Sequence, residues 1–177
     1  MKKTVLNSFK DIYSETDNLS SYKNYYNALR SWVCENEKYF RDKLQSNAKL
    51  RMLLDLEEEK YLIDNSELSL DLEKNRLYGI NFSSIDTLLM AICDTLWDMV
   101  TIRSDRNCTR CQYGLGYGYG DLRFIKVKSK GINNVILQCN LCDKLFNIDG
   151  SVYKGELDSY YPACKEDLQK LEGEKRW

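Results

Sequence analysis

Four of the seven cysteines form two closely spaced pairs, and these pairs are the strongest chemical signal in the sequence. The pairs are Cys108 with Cys111 and Cys139 with Cys142. A C-x-x-C turn can offer two thiolates to one ion, and two such turns complete a tetrahedral four-sulfur site. We therefore predict one structural Zn²⁺ with these four ligands. Because four thiolates fill a tetrahedral zinc, no position is left for a catalytic water.

The residues between the two pairs predict a β-hairpin that would bring the pairs together. Residues 122–128 and 135–138 have the composition of strands, with a turn between them. Over residues 106–150 this pattern resembles the zinc-ribbon class of structural modules. The resemblance implies that the same four cysteines are metal ligands, and it implies nothing about function. Many zinc ribbons have a glycine after the second cysteine of each pair, whereas this chain has Gln112 and Asp143.

Two other interpretations of the cysteine pairs are buried reduced thiols and a redox-active motif. The redox interpretation requires a C-x-x-C at the start of a helix in a βαβ pattern, which neither pair has. Three further cysteines, Cys34, Cys93 and Cys164, have no partner at ligand spacing. Cys93 falls in an apolar helical segment and is expected to be a small buried side chain. Cys164 could act as a spare ligand.

The composition excludes most catalytic chemistry that depends on imidazole. The chain of 177 residues contains no histidine, so it can form neither a Ser-His-Asp triad nor a Cys-His pair. Histidine-ligated metals and histidine acid–base catalysis are excluded for the same reason. The sequence also offers no carboxylate pair at a defined spacing. We therefore predict that the protein is not an enzyme.

The sequence divides near residue 105 into a helical part and a β-rich part. Residues 1–105 contain one glycine and no proline, whereas residues 106–177 contain eight glycines and the only proline. We predict an α+β fold in which a helical N-terminal part (1–105) packs on a C-terminal zinc-ribbon β-sheet with a short terminal helix (106–177). The two parts are expected to form one compact unit.

Helical periodicity defines the elements of the first part. One predicted helix face carries Leu19, Tyr22, Tyr26, Leu29 and Val33. Three further helices are predicted over about residues 35–45, over residues 48–62 and from Ser83-Ser84 onwards, while residues 66–82 are ambiguous. Pro162 suits the first turn of the terminal helix, which should end near Leu171.

A tyrosine and glycine segment is one candidate binding surface. In an extended conformation, residues 113–120 would present Tyr113, Tyr117 and Tyr119 on one face. Tyrosine rings supply a large contact area at low entropic cost, which favours a partner-binding role. The alternative is a loop or strand whose tyrosines pack against the helical part.

A lysine-bearing strand face is the other candidate surface. Lys126, Lys128 and Lys130 share it, while Ile125 and Val127 take the opposite face. This face could meet phosphates or an acidic protein. The alternative is a solvated sheet surface, or an edge that lysines protect against aggregation.

Two binding functions fit a chain without a catalytic set. In its small size, slight negative charge of −1 and organisation, the chain resembles bacterial immunity proteins that protect a cell from contact-delivered or polymorphic toxins. The resemblance implies a non-enzymatic protein that binds and neutralises a cognate toxin, such as a nuclease. Acidic and aromatic side chains would cover a basic toxin. The candidate contacts are Tyr113, Tyr117, Tyr119, Glu57, Glu58 and Glu59.

The alternative function is a nucleic-acid-binding or transcription-related zinc-ribbon protein. Its phosphate contacts would be Arg110, Arg123, Lys126, Lys128 and Lys130.

For location, the sequence predicts the cytoplasm and no membrane association. The basic start at Met1 is not followed by the apolar run of a signal peptide, and no run of 18 apolar residues exists.

Overall fold

The structure is a computed structural model, and its helices lie in the N-terminal part while its strands lie in the C-terminal part. This arrangement confirms the predicted α+β class. The residues that it describes are 5, 7–10, 12, 22–61, 84–112, 120–129 and 132–174. The chain forms two compact units, Met1–Leu56 with Ile63–Met99, and Glu57–Leu62 with Val100–Trp177. The predicted packing of the helical part on the sheet stays a prediction.

The first unit is built around amphipathic helices. The longer helices are α1 (Tyr22–Asn36) and α4 (Ile85–Val100), and the last residue of α4 belongs to the second unit. Two short helices, α2 (Arg41–Ser46) and α3 (Ala48–Leu54), lie between them in sequence. The buried face of α1 has the predicted periodicity, although Leu19 lies outside the described residues. This face consists of Tyr22, Tyr25, Tyr26, Leu29, Trp32 and Val33.

One helix boundary differs from the sequence prediction. Helix α3 ends at Leu54, well before residue 62, and Asn47 caps its start by accepting the N–H of Leu50 at 2.9 Å. The residues that follow form only a 3₁₀ turn at Glu58–Lys60, which belongs to the second unit. At the start of α4, the hydroxyl of Ser84 accepts the N–H of Thr87 at 3.2 Å. No helix in the described ranges combines the length and hydropathy needed to cross a bilayer.

The second unit contains a five-stranded antiparallel sheet. Its strands are β1 (Arg103–Asn107), β2 (Asp121–Ser129), β3 (Ile132–Cys139), β4 (Leu145–Phe146) and β5 (Ser159–Pro162). The order is β1-β2-β3-β4, and β5 also pairs with β2. Strands β2 and β3 correspond to the two strands of the predicted hairpin, whereas β1 and β5 were not predicted. Two helices complete the unit, α5 (Thr109–Gln112) and α6 (Lys165–Glu174).

The position of Pro162 corrects the prediction for the terminal helix. Pro162 ends strand β5 opposite Ile125, and α6 begins only at Lys165. Proline lacks a backbone donor, so it is tolerated at the end of an edge strand as readily as in the first turn of a helix. The sequence signal was therefore compatible with both structures.

The strand register gathers apolar side chains at one end of the sheet. Leu122 lies opposite Cys139, while Leu137 lies between Phe124 and Phe146. Directly opposed residues of antiparallel strands share a face, so these side chains form one cluster. The buried members of the cluster are Cys108, Cys111, Leu122, Leu137, Cys139 and Phe146. The core of this end of the sheet is therefore built around the cysteine pairs.

Helix α6 begins with a capping arrangement that involves Cys164. Asp167 Oδ2 accepts the backbone N–H of Cys164 at 3.1 Å and its thiol at 3.0 Å, while Oδ1 accepts from Lys126 Nζ at 2.8 Å. Burial raises the pKa of Asp167, but these donors outweigh it, and the net shift is downward. The carboxylate therefore stabilises the folded state above its ordinary pKa, and this contribution is lost as the pH falls through the lowered pKa.

Candidate metal centre

The four paired cysteines converge at one end of the sheet. Their four Sγ atoms all lie within 4.8 Å of one another. The Cys108–Cys142 and Cys111–Cys139 sulfur distances are both 3.7 Å. A Zn–S bond of about 2.3 Å in a regular tetrahedron places the sulfurs about 3.8 Å apart. The two measured distances share no atom, so they correspond to opposite edges of such a tetrahedron. The cluster can therefore hold one metal ion.

The two C-x-x-C segments, which we call the first knuckle (residues 108–111) and the second knuckle (residues 139–142), are built alike. The sulfur of Cys108 accepts backbone N–H groups from Arg110 and Cys111. The sulfur of Cys139 accepts those of Leu141 and Cys142, with a Leu141 N to Sγ distance of 3.4 Å. In each knuckle, donors two and three residues later therefore face the first sulfur, which is suited to carry negative charge.

The ionisation of the cluster favours a bound cation. Burial is the largest influence on Cys108, but its N–H and S–H donors outweigh it and lower the pKa of this thiol. Burial raises the pKa of Cys111 and of Cys139. Four neighbouring thiols cannot all lose a proton when burial already opposes charge on two of them. A coordinated divalent cation removes this conflict, because it deprotonates each coordinating thiol.

The cysteine cluster is largely shielded from solvent. Cys108 and Cys139 are fully buried and Cys111 is 6% exposed, whereas Cys142 is of intermediate exposure. Phe124 and Ile148 pack against the same cluster from its edge. Four thiolates would fill a tetrahedral coordination shell, and apolar side chains pack around this cluster.

Gly120 is a residue of the site that the sequence analysis missed. A Cβ at this position would lie 2.5 Å from the sulfur of Cys139, 3.2 Å from that of Cys111 and 3.3 Å from Leu141 Cβ. The Gly120 carbonyl also accepts the N–H of Cys108 at 2.8 Å. Because Gly120 has no side chain, its backbone can pass close to two sulfurs while its carbonyl binds the first knuckle. The alternating glycines of residues 113–120 gave no sign of which one was needed.

Asp143, which directly follows the second knuckle, has a left-handed backbone conformation. Its φ is +55°, the only positive φ of a non-glycine residue in the described ranges. Its N–H donates to the Cys139 carbonyl at 3.0 Å, and its carboxylate accepts from Gln138 Nε2 at 3.3 Å. Aspartate tolerates the left-handed region better than most residues. The residue after the second knuckle can therefore be aspartate, although its backbone is left-handed.

We expect Asp143→Val to lower the unfolding free energy of the metal-loaded protein by about 1–2 kcal/mol, because a β-branched residue opposes the left-handed conformation. Asp143→Gly should keep or slightly raise the stability, since glycine adopts this conformation without steric cost. Urea unfolding of both variants measures the difference. Asp105→Val, at an exposed position of β1, is the control. An equal loss in both valine variants would contradict the backbone explanation.

The six residues predicted to bind a partner are three tyrosines and three glutamates. Tyr113, Tyr117 and Tyr119 lie outside the described residues. Glu57 is exposed and forms an ion pair with Lys60 at 2.8 Å, which raises the pKa of this lysine. The remaining two acidic candidates are Glu58, which is partly buried, and Glu59, which is exposed. The acidic run is therefore partly engaged within the chain.

The other three cysteines do not join the metal-binding group. Cys34 is exposed on α1, and Cys93 is buried on α4, where burial raises its pKa to about 11. Cys164 caps α6 through Asp167, so it does not act as the spare ligand considered above. Among the described residues, the four knuckle cysteines form the one group able to hold a metal.

Comparison of the chain with protein-family models, curated proteins and solved structures found no match.

Proposed function

We propose that this chain is a zinc-stabilised, non-enzymatic binding protein. The observation that carries the proposal is the convergence of four buried or partly buried sulfurs within 4.8 Å of one another, two pairs of which lie 3.7 Å apart. A closed site made only of thiolates is typical of structural zinc. Such a site also requires a reducing compartment, which agrees with the cytoplasmic location expected from the sequence.

A non-enzymatic role is supported by how the reactive side chains are used. The knuckle sulfurs would be fully engaged with the metal. The thiol of Cys164 does lie beside a carboxylate, but both Asp167 oxygens are occupied by the helix cap and by Lys126. This carboxylate has a lowered pKa, which makes it a poor base for a thiol.

The contacts of the basic residues favour a protein partner over a nucleic acid. Arg123 is 2% exposed and donates to the Thr101 carbonyl at 2.9 Å, while Lys126 is bound to Asp167. Arg110 and Lys128 are exposed, and Lys130 lies outside the described residues. Two of the five predicted phosphate contacts are therefore engaged within the chain, which weakens the alternative.

Exposed apolar side chains on the second unit support protein binding. Tyr160 and Tyr161 are 37% and 43% exposed on β5, and Leu141 in the second knuckle is 54% exposed. Tyrosines of this kind often anchor protein interfaces. In its specific form the proposal is that the partner is a cognate toxin, as expected of an immunity protein. This form depends on the organisation of the sequence and includes the predicted contacts of Tyr113, Tyr117 and Tyr119.

The proposal is tested by calorimetric titration of the zinc-loaded chain with the protein encoded by the adjacent gene. We expect binding that the double change of Tyr160 and Tyr161 to alanine weakens at least about tenfold. Tyr39→Ala, at a similarly exposed tyrosine of the first unit, is the matched control. Binding that both variants leave unchanged would exclude β5 from the interface.

A parallel titration with a short DNA duplex and a single-stranded RNA tests the alternative. We expect no binding at about 0.1 M salt. A complex whose affinity falls by about one log unit per log unit of salt for each phosphate contact would overturn the protein-binding proposal. The matched variants are Arg110→Gln and Lys128→Gln, which remove the exposed basic candidates.

A further inference from the structure

We propose that the metal centre is also a peroxide-sensitive thiol switch, in which Cys142 is oxidised first and Cys108 then forms a disulfide with it. The inference rests on the proposed zinc site and assigns it a regulation. It follows from two features of the cluster, namely the unequal exposure of the four cysteines and the pairing of their sulfurs across the two knuckles.

The unequal exposure selects Cys142 as the point of attack. Cys108 and Cys139 have no exposed surface, and Cys111 is nearly as buried, whereas Cys142 is of intermediate exposure. Oxidation by peroxide requires a thiolate that the oxidant can reach. Zinc supplies the thiolate, because a coordinated thiol is deprotonated. Cys142 is therefore the cysteine of the cluster that combines charge with access.

The pairing of the sulfurs selects Cys108 as the resolving residue. The sulfur of Cys108 lies 3.7 Å from that of Cys142, and the second close pair, Cys111 with Cys139, also joins the two knuckles. Gly120 packs directly against Cys139, so this sulfur is held in place from one side. The sulfur of Cys108 is therefore within reach of an oxidised Cys142 sulfur, and the disulfide that we assign runs between the two knuckles.

The reaction requires hydrogen peroxide as the oxidant. The Cys142 thiolate attacks one peroxide oxygen, the O–O bond breaks, and a sulfenic acid forms while hydroxide leaves. The Cys108 thiolate then attacks the Cys142 sulfur, forming the S–S bond and expelling a second hydroxide. Two sulfurs lose two electrons in total, and the peroxide gains them. Two protons from solvent convert both hydroxides to water.

Disulfide formation removes two of the four ligands of the metal. A disulfide sulfur carries no negative charge, so Cys108 and Cys142 no longer hold Zn²⁺. The remaining pair, Cys111 and Cys139, cannot fill a tetrahedral shell alone. Oxidation is therefore expected to release the zinc and to loosen the end of the sheet that the metal fastens. Reduction by a dithiol in the presence of zinc should restore the site.

The test treats the zinc-loaded full chain with one equivalent of hydrogen peroxide. A chromogenic chelator follows zinc release, and peptide mapping by mass spectrometry follows the disulfides. We expect about one zinc released per peroxide, together with a Cys108–Cys142 disulfide. A dimedone trap should label Cys142 before any other knuckle cysteine. The Cys34→Ser variant, which lacks the exposed thiol of α1, should release zinc in the same way.

Three results would overturn the switch. They are a first disulfide within one knuckle, zinc retained while only Cys34 is oxidised, and a dimedone adduct that appears first on Cys108, Cys111 or Cys139. The zinc content is measured before peroxide is added. This measurement distinguishes failure of the switch from failure of the proposed zinc-stabilised function. A folded chain purified without zinc would refute the zinc site itself, whereas a zinc-loaded chain that resists peroxide would refute only the switch.

Discussion

Removal of zinc by a chelator at neutral pH is expected to unfold the metal-binding end of the second unit and to leave the helices of the first unit protected. Structural zinc contributes an apparent binding free energy of about 10–16 kcal/mol, which is comparable with the whole stability of a small domain. The cluster around the cysteines contains few other buried apolar side chains, chiefly Leu122, Leu137 and Phe146. We do not expect this small core to compensate for loss of the metal.

Hydrogen exchange read by mass spectrometry can separate the two units. Amides of β2 and β3 should lose protection when the metal is removed, whereas those of α1 and α4 should keep it. The Cys139→Ser variant should behave like the chelated protein, because it removes a fully buried ligand. Cys34→Ser is the matched control, since Cys34 is exposed and lies outside the cluster. A metal-free chain with protected β2 and β3 amides would contradict a structural metal.

Substitution of Gly120 by alanine is expected to weaken zinc binding by about 1–3 kcal/mol, the usual range for overpacking a tight site. This corresponds to roughly a 5- to 160-fold loss of affinity. The new methyl group would lie 2.5 Å from the sulfur of Cys139 and 3.2 Å from that of Cys111. Bound metal fixes both sulfurs, so neither can move away without lengthening a metal bond.

Competition with a chromogenic zinc chelator measures this loss directly. Gly155→Ala is the matched control in the same unit, because its Cβ would meet only the end of the Tyr153 side chain. We expect that variant to bind zinc as tightly as the original chain. Equal zinc affinity of the Gly120→Ala variant and the control would show that the glycine is not required by the sulfurs. A loss in both variants would indicate a general effect on folding.

The four cysteine ligands could be predicted from the sequence because their pairing depends on short-range geometry. A C-x-x-C segment brings two sulfurs together whatever surrounds it, and the alternating apolar residues between the pairs predict the hairpin that joins the knuckles. The periodicity of α1 was readable for the same reason, since residues three and four apart share a helix face. These features needed no information about distant parts of the chain.

The tertiary structure alone decided which other residues complete the site. Gly120 is required because β2 and β3 bring it against Cys139, and that approach depends on strand register. Pro162 lies in β5 and not in a helix. Proline is compatible with the end of an edge strand and with the first turn of a helix, so the pairing of β5 with β2 decides between them. Cys164 became a helix cap through Asp167 and Lys126, and Lys126 lies far away in sequence. Spacing along the chain thus determined which sulfurs could meet, whereas long-range pairing determined what surrounds them.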